Sequence, residues 1–215
     1  FRQSVTINDS TTSSATEGGI LSLISDDGAA LGDDHRLGKI GFKAAEDGGG
    51  TIVEGASIEA FADAAWSASE NGTRLEFRTM DGNASEELSL TLDSDRRATF
   101  TGPIHVNNAA TSHATSGGAL SLISDDGAAL GDDHRLGGVI FKAAEDGSST
   151  IVTGAHISAY ADAAWSGSEN GTRLEFYTSD GDASLEKSLT LDSDLLATFA
   201  GACLLYTSPS PRDGL

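Results

Sequence analysis

Apolar and polar residues alternate with a period of two along several stretches of the chain, the pattern of half-buried β-strands. In LSLTLD, Leu88, Leu90 and Leu92 fall on one side while Ser89, Thr91 and Asp93 fall on the other. TRLEFRT sets Leu75 and Phe77 against Arg74, Glu76 and Arg78. GASIEAFADAAW places Ala56, Ile58, Ala60, Ala62, Ala64 and Trp66 on one face. Its alanines would suit a short helix, but Glu59, Phe61 and Asp63 alternate with them, which favours a strand. ATFTGPIHV alternates Ala98, Phe100, Gly102, Ile104 and Val106 against Thr99, Thr101, Pro103 and His105. LSLIS and KIGFKA bring the total to about six strands. Asp27-Gly28, Asp47-Gly48, Asn71-Gly72 and Asp81-Gly82 mark turns, since such pairs accept the positive φ of tight hairpins. The fold class predicted is all-β, a meander or sandwich-like unit.

The unit is written twice. LSLISDDGAALGDDHRLG begins at Leu21 and again at Leu120, FKAAEDG at Phe42 and Phe141, and ENGTRLEF at Glu70 and Glu169. The offset is constant, and about 70 of the 99 aligned positions are identical without insertion or deletion. This divides the chain into unit 1 at 1–99, unit 2 at 100–198 and the start of a third unit at 199–202. Equivalent residues are expected to share one fold, with Leu21, Phe42, Trp66, Phe77 and Leu92 and their counterparts as the common core. Arg96-Arg97 against Leu195-Leu196 should lie at a surface or junction. Near-identical tandem copies suit a structural array better than an enzyme, which needs one asymmetric pocket.

Composition narrows the possibilities. The 215 residues carry 13 Lys+Arg against 33 Asp+Glu, a net charge of −20. Nucleic acid and anionic membrane are poor partners for so acidic a chain. No apolar run approaches the roughly 20 residues that a membrane-spanning helix needs. Residues 203–215, beginning CLLYTSPSPRD, break the acidic texture and match a translated sequencing adapter, so they are expected to be foreign and to pack on nothing. Cys203 is the one cysteine, and without this tail Pro103 would be the sole proline. Both ends are therefore expected to be cut from a longer protein.

Candidate chemistry is sparse. DDGAALGDDHR gathers Asp26, Asp27, Asp33, Asp34 and His35, and again Asp125, Asp126, Asp132, Asp133 and His134. Such carboxylates could hold Ca²⁺ weakly, but the spacing is not that of a calcium-binding loop, and turn-forming aspartates explain it better. Asp33 with Glu46 or Glu70 could be imagined as an acid–base pair on a glycosidic bond, with nothing to fix their separation. Trp66, Trp165 and Tyr160, with Phe61, are weak candidates for a sugar-stacking platform, against ordinary packing at a strand end. Asn71-Gly72-Thr73 and Asn170-Gly171-Thr172 match a glycosylation pattern and are better explained as hairpin turns. His105, His113 and His156 do not recur between copies. No catalytic motif, metal centre or cofactor is expected.

RLGKIGFKAAEDG, GASIEAFADAAWSASENGTRLEFRTMDG and SLTLDSDRRATFTGPIHVN, in that order, resemble the stalk repeats of bacteriophage tail fibres over both copies, from about Leu21 to Gly201. The resemblance implies a trimeric, β-rich, non-catalytic virion segment that spaces a host-binding element, often ahead of a tip or an endosialidase-type chaperone domain. Partners would be two further copies, other tail or baseplate proteins and, through an absent tip, a host surface glycan. SLTLDSDRRATF departs from the glycine-rich turn of many such repeats. Rival classes are a carbohydrate-binding module or surface adhesin and, further off, a polysaccharide depolymerase fragment.

Overall fold

The computed structural model describes residues 5–12, 14–16, 18–109, 114 and 117–201. The expectations for Cys203–Leu215 and for His113 fall outside them. The chain divides into two compact units, Phe1–His105 and Val106–Leu215, so the first extends past the repeat boundary drawn at 99/100.

Each unit is one antiparallel meander. In the first, β1 (Arg36–Ala45), β2 (Ile52–Ala62), β3 (Thr73–Met80), β4 (Glu86–Leu92) and β5 (Ala98–Phe100) pair in chain order. In the second, β6 (Arg135–Ala144), β7 (Ile151–Ala161), β8 (Thr172–Ser179), β9 (Leu185–Leu191) and β10 (Ala197–Phe199) repeat that order. Strand bounds and registers recur at the repeat offset: Ile58 faces Phe77 as Ile157 faces Phe176. The fold is all-β, as the alternation predicts.

Five strands form instead of about six. LSLIS has no strand: Leu23 packs against β1, and a Cβ added to Gly38 would lie 2.8 Å from the Leu23 Cβ. ATFTGPIHV contributes only Ala98–Phe100, because Gly102 and Pro103 end the ladder. Strand β2 stops at Ala62, so Ala64 and Trp66 lie beyond it.

Three hairpins per unit share one device. The Asp47 carboxylate accepts hydrogen bonds from the Gly49 and Thr51 amides, Asp81 from Asn83 and Ser85, and Asp93 from Arg97. The fourth residue of each turn carries the positive φ: Gly50 at 83°, Ala84 at 67° and Arg96 at 65°. The strained position thus falls later than the Asp-Gly pairs suggest, as in a type I turn followed by a bulge. Arg96-Arg97 and Leu195-Leu196 occupy the β4–β5 and β9–β10 turns and are exposed, as expected for divergent positions.

Each sheet has two unlike faces. On the apolar face, Phe100, Leu90, Phe77, Ile58 and Ile40 form one row across all five strands. Ala98, Leu92, Leu75, Ala60 and Gly38 form the next. On the opposite, charged face stand Lys39, Glu59 and Glu76, with Ser57 beside Arg78 and Phe61 beside Arg74. A bulge in β4 sets Leu88 opposite Arg78, so it leaves the side of Leu90 and Leu92 where simple alternation puts it.

Burial inverts the expectation for the core. Among the described residues the buried apolar side chains are Ala62 and Ala161, while Ser57, Glu59, Glu76, Ser158 and Glu175 are buried polar ones. Phe42 is 54% exposed, Ile40 43% and Phe100 48%, and Leu21 and Leu92 are exposed as well. Leu21, Phe42 and Leu92 therefore do not belong to a closed core. Among the described residues Leu23 lies over the Gly38, Ala60 and Leu75 row and the rest of the apolar face is half-buried or exposed, whereas long charged side chains cover one another on the other.

Candidate functional site

On the charged face of the first unit, Lys39 sits among three carboxylates. Its Nζ contacts Glu54 closely, lies 2.9 Å from Glu59 Oε1 and 3.7 Å from Glu86 Oε1. Ser57 Oγ donates to Glu59 at 2.9 Å and to Glu86 at 3.2 Å, and Arg36 reaches Glu59 Oε2 at 3.1 Å. Burial alone would raise the Glu59 pKa, but the hydrogen bonds from Lys39, Ser57 and Arg36 outweigh it and hold the carboxyl at about 2. Among the described residues, Glu54, Glu59 and Glu86 are the carboxylates close enough to share a metal ion. The Lys39 ammonium already stands among them as their counter-charge.

A second node is common to both units. Arg74 bridges Glu76 (2.7 Å), Asp34 (2.8 Å) and Asp63 (3.4 Å), donates to the Ala62 carbonyl and lies 4.9 Å over the Phe61 ring. Arg173 does the same with Glu175, Asp133, Asp162, Ala161 and Tyr160. Burial would lower each guanidinium's pKa, yet the surrounding carboxylates carry it above the ordinary arginine value. Glu76 finds its second cation in Arg78, 2.6 Å away. Glu175 instead accepts from the Tyr177 hydroxyl at 2.5 Å and pairs with Lys187 at 3.1 Å. Burial and this bond to Glu175 push the Tyr177 phenol up to about 12.

The sequence candidates are dispersed. Asp26 and Asp27 accept from the Gly28 and Ala29 amides, as Asp125 and Asp126 do from Gly127 and Ala128. Asp34 and Asp133 go to the arginines, while Asp33 and Asp132 remain exposed. Gly32 donates to His35 Nδ1, and Gly131 to His134 Nδ1. Glu70 accepts from the Gly72 amide, and Asn71 donates to the Ser67 carbonyl, which makes both of them turn residues.

Trp66 Nε1 donates to the Gly72 carbonyl, and Trp66 lines a groove of about 500 Å³ with Leu23, Ala29, Leu31 and Leu37. Trp165 lines the same groove in the second unit, and Tyr160, under Arg173, is absent from its lining. Each Trp therefore borders a groove, while Tyr160 lies under Arg173. The three-carboxylate cluster escapes sequence inspection because Glu54, Glu59 and Glu86 come from two strands whose register sequence spacing does not give.

This is an all-β, two-sheet chain, and its fold has solved counterparts. It superposes on the carboxy-terminal domain of the bacteriophage T5 L-shaped tail fibre with its intramolecular chaperone domain, with a TM-score of 0.66 and 10% identity, covering 95% of this chain and 64% of that one. Against the T5 carboxy-terminal domain in a separate structure, the TM-score is 0.60 and the identity 9%, covering 95% and 93%. The chain thus spans about two thirds of the longer counterpart. No family profile matches the sequence, and no curated protein does.

Proposed function

We propose that the chain is a structural segment of a viral tail fibre, a virion component that spaces or presents a host-receptor-binding element. The observation that carries this is the tandem meander, which leaves Ile40, Phe42 and Phe100 of its apolar face exposed and shares its fold with a phage tail fibre domain. The role is mechanical rather than catalytic, and its partners are two further copies of the chain and other tail or baseplate proteins. So lean a unit is marginal alone, since buried apolar area stabilises by only about 25 cal/mol per Å². Light scattering on the purified protein tests the assembly: the expected mass is that of three chains. The −20 charge per chain should loosen the trimer at low salt, because repulsion is screened over about 10 Å at 0.1 M. A stable monomer at every salt concentration refutes the homotrimer.

The Trp66 and Trp165 grooves favour one second function, glycan binding by a surface module. Glycan-array binding that vanishes in Trp66→Ala/Trp165→Ala would support it over a plain spacer. Release of reducing ends from a host polysaccharide would instead point to a depolymerase.

A further inference from the structure

The two copies do not differ evenly. On the apolar face, Gly38, Phe42, Ala56, Ile58, Ala60, Leu75, Phe77, Leu90, Leu92 and Phe100 recur unchanged at the repeat offset, and only Ile40 is altered, to Val139. On the charged face Arg36, Lys43, Arg74 and Glu76 recur, but Lys39, Gly41, Glu54, Ser57, Glu59, Phe61, Arg78, Met80, Glu86 and Leu88 have been replaced. The face that stays the same is partly open to solvent, with Phe42, Ile40 and Phe100 exposed. Surface exposure ordinarily relaxes the demand on a side chain, so an exposed yet unchanged apolar face is under another constraint. Its two five-residue rows also hold no charge; Glu87, opposite Thr79 at one end, is the exception on that side.

We infer that the apolar face of each sheet is the surface on which a second copy of this chain seats its like unit, an inference that rests on the fibre-segment proposal for the presence of other chains. A surface repeated almost unchanged from unit to unit fits a partner repeated in the same way, and another molecule of the same array is such a partner. Charge selects the face. Chains of net charge −20 can approach closely along rows that hold no carboxylate, with Glu87 at one end only, and the carboxylate clusters lie on the other side. The charged face then looks outward, where positions around its shared arginine node vary between units.

Cysteine labelling tests the face directly, in the full chain carrying Cys203→Ser. Leu92 on the apolar face and Lys43 on the charged face are both exposed in a single chain, at 39% and 56%. In the assembled protein, Leu92→Cys should react with a maleimide at least about 10-fold more slowly than Lys43→Cys, and equally fast in urea. Leu75→Arg should sediment as monomers with β-sheet circular dichroism retained, while Arg78→Ala stays assembled. Equal labelling in an assembled protein overturns the choice of face and leaves the fibre proposal standing. Monomers of the parent chain at every concentration overturn both.

Discussion

Lys39 of the first unit has Gly138 at its place in the second, and the three carboxylates it holds, Glu54, Glu59 and Glu86, have become Thr153, Ser158 and Leu185. Lys39 and its three carboxylates are lost together, while the peripheral Arg36 and Lys43 persist as Arg135 and Lys142. Elementary electrostatics gives the reason: a buried carboxylate deprived of its cation costs far more than the intact pair contributes. The second node behaves differently. Glu76 and Glu175 keep their arginine, and only the other partner changes, Arg78 giving way to Tyr177 while Leu88 becomes Lys187. One face of one fold thus carries two solutions, a dense ion-pair net and a sparser one with aromatic members, the His156 ring lying against Tyr177 at 4.1 Å with the planes tilted by 43°.

The shared node should show the largest effect, and an equal one in both units. Arg74→Ala and Arg173→Ala should each destabilise their unit by about 3 kcal/mol, because each removes the cation shared by one buried glutamate and two aspartates. Hydrogen exchange followed separately in the two units measures this, and a clear inequality would show that the units are not equivalent here. Lys39→Ala should cost the first unit about 2 kcal/mol and leave the second untouched. A loss below experimental error would mean that the cluster relaxes into water.

Acid should separate the units. The Glu59 carboxyl titrates at about 2 in the folded chain against 4.5 ordinarily, so it stabilises fully above the unfolded value. That contribution is lost as pH falls from about 4.5 toward 2, and Ser158 has none to lose. Exchange protection in β1–β2 should therefore drop more than in β6–β7 between pH 6 and 3. Parallel loss would contradict the assignment.

A transplant sharpens the comparison further. Arg78→Tyr alone should destabilise, and adding Leu88→Lys should restore about 1 kcal/mol through Glu76, read from a double-mutant cycle in urea. The smallest effect concerns the β6–β7 turn. Ser149 holds φ at 62° where the first unit has Gly50, so Ser149→Gly should stabilise by about 0.5 kcal/mol, and destabilisation would point to an unseen role for the hydroxyl.

Strand existence was legible where alternation was clean, as in Thr73–Met80 and Ile52–Ala62. It misled at LSLIS, because an extended apolar segment packed on β1 has the same period as a paired strand. The polarity of the two faces could be read from TRLEFRT, but not which face would be covered. That depends on how far Arg74, Arg78 and Lys39 lie down over their own sheet. The abundance of aspartate had a local cause: Asp47, Asp81 and Asp93 each close a hairpin through their own carboxylate. Their positions follow turn geometry. The Glu54–Glu59–Glu86 cluster was illegible because it depends on cross-strand register.

Two nearly identical sheets in one chain invite a kinetic error: while the protein is being made, a strand of one copy can pair with its complement in the other. The registers would fit, since the residues of the apolar rows are the same but for Ile40 and Val139. The interior pairing of β1 with β2 sets Lys39 across from Glu59, and that of β6 with β7 sets Gly138 across from Ser158. Exchanging them would place Glu59 beside Gly138, its lysine gone, and Lys39 beside an unresponsive serine. The divergence of the charged face thus works as a mismatch penalty, marking which strands belong together in a molecule whose other face cannot tell them apart.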